Sequence, residues 1–215
     1  DDAIFSLPKH FRYNNWKKDP NSRNEFNKVK YLIKNSKLVI VGNNYLGKYA
    51  KKYNKNIAVV PTPIDVELFK NPKIDYKLHN PIRIGWYGSW GNQPYLESVM
   101  PAFKEISKKH NIELRVISDK NYYKKYSFIK NVKWNESKEE KQLSECDITV
   151  APMPRDEWTR GKCGYKILKY MICGLPSIVT PLEIQKEIID HGINGYHANS
   201  KTEWVKYLDK LIKSE

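Results

Sequence analysis

Long hydrophobic runs are missing from this sequence of 215 residues. No apolar stretch approaches the roughly 18 residues that a transmembrane helix requires. The first residues, Asp1 to Phe5, also lack the charged and apolar regions that make up a signal peptide. We therefore expect a protein that is soluble or attached to a membrane only at its surface.

Cysteine is scarce, and Cys146, Cys163 and Cys173 form no recognisable site. Their number is odd, and neither CxxC spacing nor a histidine at metal-ligand distance accompanies them, which favours a reducing compartment and argues against structural zinc. The sequence also contains no GxSxG, HExxH or Asp-x-Asp motif. These absences argue against hydrolase chemistry and predict a cytoplasmic protein without a metal site.

Acidic residues are outnumbered, because 38 Lys and Arg against 24 Asp and Glu leave a net charge of +14. Such a balance favours anionic partners: nucleotide phosphates, polyprenyl-phosphate or phospholipid head groups, or nucleic acid. A lysine-rich surface that is simply solvated is an equally good interpretation. Nucleic acid is not expected as a partner, since the sequence has no recognisable motif for reading it.

Apolar runs alternate with amphipathic stretches along the whole chain. The runs predict strands at 38–42, 57–60, 82–88, 113–118, 132–134, 147–152, 177–180 and 196–198. The intervening stretches predict helices at 24–35, 43–53, 94–109, 120–130, 137–146, 160–173, 182–191 and from Thr202 onwards. Ser137 with Glu140 has the spacing of a capping box, and Thr202 is the expected cap of the last helix. This alternation predicts an α/β fold with a doubly wound parallel sheet.

The domain organisation follows from length and from the prolines. Two complete Rossmann-like domains of about 150 residues each would need a longer chain. Pro61 and Pro63 open a polar, proline-containing stretch that ends at Pro81 and has the composition of a linker. We predict the end of a first Rossmann-like domain at 1–62, a linker at 63–80 and a complete second domain at 81–215.

The stretch 160–176, RGKCGYKILKYMICGLP, is the most informative part of the sequence. Glycine at Gly161 and Gly164 would let the backbone approach a ligand closely, and a helix that begins here would point its first N–H groups at that ligand. Arg160, Lys162 and Lys166 add positive charge. We therefore predict an anion site, most plausibly for phosphate.

A second glycine-rich turn, Gly88 to Asn92, follows the predicted strand 82–88. The first strand of a nucleotide-binding sheet presents its phosphate loop at such a turn. The signal is weak when taken alone, because it is not GxGxxG and its glycines would suit any tight turn.

The stretch 158–176 resembles the donor-site region of family 4 (group 1) glycosyltransferases with the GT-B fold. The matching pattern consists of Trp158, Thr159, Gly161, Lys162, Lys166, Tyr170, Met171, Gly174 and Pro176. The broad family often has two glutamates, for the donor sugar and the ribose, where this sequence has Gly161 and Lys169.

The resemblance implies a retaining, metal-independent hexosyltransferase that moves a sugar from a nucleoside-diphosphate sugar to a glycan or lipid-linked acceptor, in cell-surface polysaccharide synthesis. It implies no cofactor and peripheral contact with an anionic membrane. It also places 1–62 at the end of the acceptor domain, so that about 100 residues of that domain would precede Asp1 and this chain could be an inactive fragment.

The predicted site residues follow from both arguments, and no catalytic residue is assigned. For the donor diphosphate they are Gly88, Ser89, Arg160, Gly161, Lys162, Gly164 and Lys166, with Lys162 as the main contact. For the donor sugar they are Asp156 and Glu157, and for the base they are Val132 and Trp134. A non-catalytic module that binds a nucleotide sugar or a partner, and a nucleotide-sugar epimerase, remain alternatives.

Overall fold

The computed structural model describes residues 3–6, 20–69 and 75–214. Residues 7–19 of the predicted first domain and 70–74 of the predicted linker lie outside the described residues, as do 1–2 and 215. The chain divides into two compact units. Unit 1 comprises Asp1–Pro63, Pro154–Gly164 and Leu182–Ile184, and unit 2 comprises Ile64–Met153, Tyr165–Pro181 and Gln185–Glu215.

Helices and strands alternate along most of the chain as predicted. In chain order they are α1 (Pro20–Asn35), β1 (Val39–Val41), α2 (Asn44–Ala50), β2 (Ile57–Val59), β3 (Ile82–Tyr87), α3 (Met100–Ile106), β4 (Ile112–Ser118), β5 (Ile129–Lys133), α4 (Glu139–Ser144), β6 (Ile148–Ala151), α5 (Glu157–Arg160), α6 (Tyr165–Ile172), β7 (Ser177–Val179), α7 (Glu183–Ile188), β8 (Gly195–His197) and α8 (Lys201–Lys213). However, β4 is followed directly by β5, and a short helix, α5, precedes α6 where one helix at 160–173 was expected. Over the described residues, no helix is long and apolar enough to cross a membrane.

Unit 1 contains a βαβ arrangement in which β1 and β2 pair in parallel, with Val39 opposite Ile57. Between them α2 begins after Asn43, whose side-chain oxygen accepts the Leu46 N–H at 2.9 Å. A polar N-cap of this kind satisfies one of the unpaired donors of the first helical turn. The predicted strands and helix in this part of the chain are therefore confirmed, although the helix ends at Ala50 and not at Tyr53.

Unit 2 is built on a parallel sheet whose strand order, within the described residues, is β5-β4-β3-β6-β7-β8. From β3 the chain adds strands on one side, and it then returns to add β6, β7 and β8 on the other. Such a sheet has its topological switch point between β3 and β6. The predicted doubly wound parallel sheet is confirmed.

Two hydrophobic clusters cover the two faces of this sheet. Neighbouring strand residues point to opposite faces, so Val150 and Ala151, like Ile178 and Val179, belong to different clusters. The first cluster includes Phe103 of α3 and Leu208 of α8, while the second includes Ile167 and Tyr170 of α6. Because both faces are covered, the strands read as nearly continuous apolar runs.

The predicted helix 94–109 is only partly correct. Residues Trp90–Ser98, which include Pro94, form a 3₁₀ helix, and the α-helix starts at Met100 with Pro101 in its first turn. Proline is tolerated in the first turn of an α-helix, where its missing N–H would have had no partner. Of the two prolines, Pro94 lies within the 3₁₀ helix, and Pro101 lies in the first turn of the α-helix.

The tyrosine-rich segment 120–130 is not the expected helix. The Tyr122 N–H donates to the Asn131 side chain at 2.7 Å, and the Tyr122 and Tyr123 hydroxyls donate to the Glu97 carboxylate. The chain then enters β5 at Ile129. Contacts with distant residues therefore override the local helical pattern.

The two predicted caps are also different. The Ser137 hydroxyl donates to the Asn135 side chain at 2.7 Å, and α4 begins only at Glu139, so Ser137 and Glu140 form no capping box. The last helix is capped by Ser200, not Thr202, in a capping box with Glu203. Both serines precede a glutamate by three residues, and only the folded backbone decides which pair forms the box.

Candidate functional site

The predicted site residues are divided between the two units. Unit 2 contains Gly88, Ser89, Val132, Trp134 and Lys166, and unit 1 contains Asp156, Glu157, Arg160, Gly161, Lys162 and Gly164. Each group has its own local geometry. In unit 2, Gly88, Ser89 and Lys166 lie at the switch point, whereas Val132 belongs to the edge strand β5 and Trp134 follows it.

The turn after β3 can offer the backbone amide of Ser89 to a ligand. The Gly88 N–H donates to the Ile117 carbonyl at 3.1 Å, and the Trp90 N–H donates to the Asp119 carboxylate at 2.7 Å. Between them, the Ser89 N–H has no acceptor among the described residues. Ser89 is therefore a position at which this turn could donate to a phosphate oxygen.

The structure brings two of the predicted residues, Gly88 and Lys166, together. Lys166 belongs to α6, and its ammonium nitrogen lies 4.6 Å from the centre of the Trp86 ring. A Cβ atom placed on Gly88 would lie 3.2 Å from that nitrogen and 2.9 Å from the Trp86 ring. Glycine is required at position 88 because the lysine and the indole occupy the space of a side chain.

Tyr170 lies one turn after Lys166 on the same helix and is fully buried. Its hydroxyl accepts the Tyr87 N–H at 2.9 Å and donates to the Val150 carbonyl at 3.5 Å. Burial raises the pKa of this phenol well above its ordinary value, which keeps it neutral. The sequence analysis noted Tyr170 only as part of the family pattern. Its partners lie far away along the chain, so the neighbouring sequence does not indicate them.

A nearly buried ion pair that the sequence did not predict lies beside the predicted base residue Trp134. The Lys169 ammonium bonds both carboxylate oxygens of Glu139 at 2.8 Å and lies 4.8 Å and 4.5 Å from the centres of the Tyr87 and Tyr165 rings. The Trp134 indole N–H donates to the same carboxylate at 3.3 Å. Burial, followed by the neighbouring Glu139, raises the pKa of Tyr87. Lys169, which stands where the resemblance implies a glutamate, therefore has a carboxylate partner from α4.

In unit 1 the loop 160–163 is held from two sides. A Cβ atom on Gly161 would lie 2.5 Å from the Ala3 Cβ and 2.6 Å from the Ala3 backbone nitrogen, so this glycine is needed for packing against Ala3. The Asn43 amide nitrogen lies 3.4 Å, 3.1 Å and 3.1 Å from the carbonyl oxygens of Arg160, Gly161 and Lys162. Gly164 has φ of 78°, a conformation that favours glycine.

The two predicted cations of this loop have partners within unit 1. The Arg160 guanidinium bonds the Glu183 carboxylate at 2.6 Å and stacks 4.3 Å above the Tyr45 ring. The Lys162 ammonium lies 4.9 Å from the centre of the Trp158 ring. Cation–π contacts of this kind fix the side-chain position while the charge is kept.

The predicted sugar-binding carboxylates also make contacts within unit 1. Asp156 is the N-cap of α5 and accepts the Thr159 N–H at 2.8 Å, and Glu157 accepts the Ser6 hydroxyl at 3.1 Å. Because a carboxylate can accept about four hydrogen bonds, these contacts leave Asp156 and Glu157 able to accept others. The assignment of these two residues to the donor sugar stays a prediction.

Comparison with known protein families gives a match to the model described as "Glycosyl transferases group 1", over residues 81–214 and thus more than half of the chain. The chain belongs to this family. The match begins one residue before β3 and includes the switch point together with Lys166 and Tyr170. A comparison with curated proteins gave no match.

Solved structures show that this group 1 glycosyltransferase chain has the GT-B type of α/β fold. HepE from Anabaena, solved with UDP-glucose, is 14% identical with a TM-score of 0.72, over 98% of this chain and 60% of that chain. WaaG, a glycosyltransferase involved in lipopolysaccharide biosynthesis, is 14% identical with a TM-score of 0.72, over 95% and 62%. Sucrose-phosphate synthase from Thermosynechococcus elongatus is 14% identical with a TM-score of 0.66, over 95% and 55%. This chain therefore spans about three fifths of the length of these proteins.

Proposed function

We propose that this chain supplies the donor-binding part of a glycosyltransferase, and that the diphosphate of a nucleoside-diphosphate sugar binds at the switch point of unit 2. The observation that carries this proposal is the position of the Lys166 ammonium beside Gly88, at the carboxyl end of β3. Ligands of open parallel sheets bind in the crevice outside the carboxyl ends of the strands at this point. A lysine and a backbone amide suit a phosphate there.

The chemistry follows from charge. When the sugar leaves, the diphosphate gains negative charge, and donors that are already in place stabilise it without having to reorganise. In unit 2 these donors are Lys166 and the Ser89 N–H. Trp134 has a partly exposed ring whose N–H is fixed by Glu139, so we propose that the base stacks near Trp134 and Val132. The unit 1 residues predicted for the diphosphate and the sugar stay predictions.

The comparisons support a nucleotide sugar as the donor, because HepE was solved with UDP and with UDP-glucose. Retention at the anomeric carbon, independence of metal, hexosyl transfer and a glycan or lipid-linked acceptor in polysaccharide synthesis are proposals that rest on the family resemblance. The cytoplasmic location rests on composition, and the contact with an anionic membrane rests on charge and on the family resemblance. Cosedimentation with anionic vesicles at low salt tests that membrane contact.

Calorimetric titration with UDP, GDP and ADP, without metal and then with magnesium, tests the donor site. We expect one of the three to bind without metal, and Lys166→Ala to weaken that binding about tenfold or more, since it removes a charge-assisted contact. Lys206→Ala, on the exposed side of α8, is the matched control and should bind normally. Equal affinity of the Lys166 variant and the wild type would refute the proposed contact.

A non-catalytic binding module is the second candidate, favoured by Lys169 in a place where the resemblance implies a glutamate. Both candidates bind a nucleotide sugar, and only the transferase consumes it. Release of UDP from UDP-glucose, with and without added oligosaccharide acceptors, separates them when measured on the natural full-length protein. Binding by this chain without turnover by the full-length protein would favour the non-catalytic module.

A further inference from the structure

The pairing of β3 with β6 stops early on one side of the sheet. β3 pairs with β4 over its whole length, from Ile82↔Ile112 to Tyr87↔Ile117. With β6 it pairs only at Ile84↔Ile148 and Gly85↔Thr149. Past Gly85 the strands β3 and β6 separate, although both continue for further residues.

The direction of the backbone amides identifies the first bond that is missing. The Ile82 and Gly88 N–H groups donate to carbonyls on the β4 side, Asn111 at 2.9 Å and Ile117 at 3.1 Å. Alternate residues of a strand direct their amides to opposite neighbours, so the Tyr87 N–H points towards β6. With Gly85 opposite Thr149, an uninterrupted ladder would join the Tyr87 N–H to the Val150 carbonyl.

The Tyr170 hydroxyl occupies the place of that missing bond. It accepts the Tyr87 N–H at 2.9 Å and donates towards the Val150 carbonyl at 3.5 Å. Only a neutral hydroxyl can accept from one strand and donate to the other at the same point. The side chain is inserted between two groups that would otherwise bond to each other.

We propose that Tyr170 is a positioning residue, which holds β3 and β6 apart at the switch point and so sets the width of the crevice that receives the nucleotide diphosphate. Lys166 and Tyr170 are four residues apart on α6 and share a face of the helix. Because the inserted side chain holds α6 against β3, it also fixes the position of the Lys166 ammonium next to Gly88. The nucleotide part of this inference rests on the proposed function, whereas the strand separation rests on unit 2 alone.

Tyr170→Phe removes the hydroxyl and keeps the ring. We expect the Tyr87 N–H to bond the Val150 carbonyl directly, the crevice to narrow, and the dissociation constant of the nucleotide bound by the wild type to rise about tenfold. Tyr122→Phe is the matched control, because Tyr122 is nearly buried in unit 2 and its hydroxyl donates to Glu97 away from the switch point. That control should keep the wild-type affinity.

The titrations are measured with UDP, GDP and ADP well below the melting temperature of each variant. Unchanged affinity in Tyr170→Phe, or equal losses in both tyrosine variants, would overturn the positioning role. A loss confined to Tyr170→Phe supports it.

Nuclear magnetic resonance of the unliganded chain tests the strand separation independently of any ligand. In the wild type the Tyr87 amide should be protected from hydrogen exchange, and in Tyr170→Phe its proton shift should move to that of an amide–carbonyl bond. Exchange of the wild-type Tyr87 amide at the solvent rate would overturn the inference, even if the variant fails to fold. If the wild type binds none of the nucleotides, the proposed function fails, and this measurement still decides the role of Tyr170.

Discussion

The two ends of the β3–β6 pairing are completed by side chains of opposite character. At the start, the buried Asp147 carboxylate accepts the Arg83 N–H at 2.8 Å, the His79 N–H at 3.2 Å and a hydrogen bond with the His79 ring at 2.8 Å. At the far end the Tyr170 hydroxyl accepts one amide and donates to one carbonyl. The carboxylate holds the Arg83 N–H, the His79 N–H and the His79 ring together, whereas the hydroxyl bridges two strands that have separated.

The two ends of this strand pair therefore serve different purposes: one stabilises the fold, and the other forms the proposed binding site. A carboxylate that only accepts can gather N–H donors, but it would repel a strand carbonyl, so it suits an end where the chain must be held closed. A hydroxyl satisfies both strands while keeping them apart. Gly88, Ser89 and Lys166, the residues proposed to bind the ligand, all lie at the hydroxyl end.

Asp147→Ala should break the closed end and give the largest effect. It removes a buried carboxylate and leaves the N–H groups of the half-buried Arg83 and His79 without their acceptor, so we expect a loss of about 3 kcal/mol in the free energy of unfolding. Urea unfolding measures it. Asp147→Asn should lose less, and both variants should keep the nucleotide affinity of the folded protein. If Asp147→Ala kept its stability and bound the nucleotide more weakly, the Asp147 end would serve binding and not stability, contrary to our expectation.

Lys169→Ala tests whether residues near the Tyr170 end of the β3–β6 pairing also stabilise the fold. It leaves Glu139 as an unpaired and largely buried carboxylate, so we expect a loss of about 2 kcal/mol in the free energy of unfolding. The double variant with Glu139→Gln should recover part of that loss, because the remaining side chain is neutral. A double-mutant cycle with no coupling energy would show that the ion pair contributes nothing to the fold.

Gly88→Ala should act mainly on binding. The added Cβ would meet the buried Trp86 ring at 2.9 Å and the Lys166 ammonium at 3.2 Å, so both the indole and the lysine must move. We expect about fivefold weaker nucleotide binding and a stability loss of about 1 kcal/mol. Ser89→Ala is the control, since it keeps the proposed amide donor and should bind as the wild type does. Weaker binding in Ser89→Ala would assign a role to the hydroxyl instead.

The smallest effect concerns Glu203, a carboxylate that caps a helix at the surface as Asp147 caps a strand in the interior. The amides of Asn199 and Ser200 lower the pKa of Glu203. Because the folded-state pKa is lowered, the stabilisation is present above the ordinary glutamate pKa and is lost as the pH falls through the lowered value. Glu203→Gln should cost about 0.5 kcal/mol at pH 7, and the difference should vanish in acid. Thermal unfolding at several pH values measures it.

Features written in neighbouring residues could be predicted from the sequence. The apolar runs locate β3, β4 and β6 to within a residue or two. The predicted helices 43–53 and 160–173 locate the start of α2 and the end of α6, after which Gly174 has φ of 70°. The charge of Lys166 near the glycine turn was also expected. Each of these rests on a pattern within one turn or one strand.

Features that depend on distant partners could not be predicted. Tyr170 bonds a backbone amide 83 residues away, and nothing in the local sequence indicates that its hydroxyl lies between two strands. Gly161 was interpreted as room for a ligand, whereas its missing side chain is required by Ala3. Lys169 was noted only as a departure from the family pattern, and its partner Glu139 comes from another helix.

The contact between Gly161 and Ala3 limits which residues position 161 can hold. Any side chain there would place its Cβ 2.6 Å from the Ala3 backbone nitrogen, an atom that no substitution at residue 3 can remove. The resemblance implies a sugar-binding glutamate at this position, and introducing one would require the backbone at Ala3 to move. A sugar contact engineered into this chain is therefore better placed at another position.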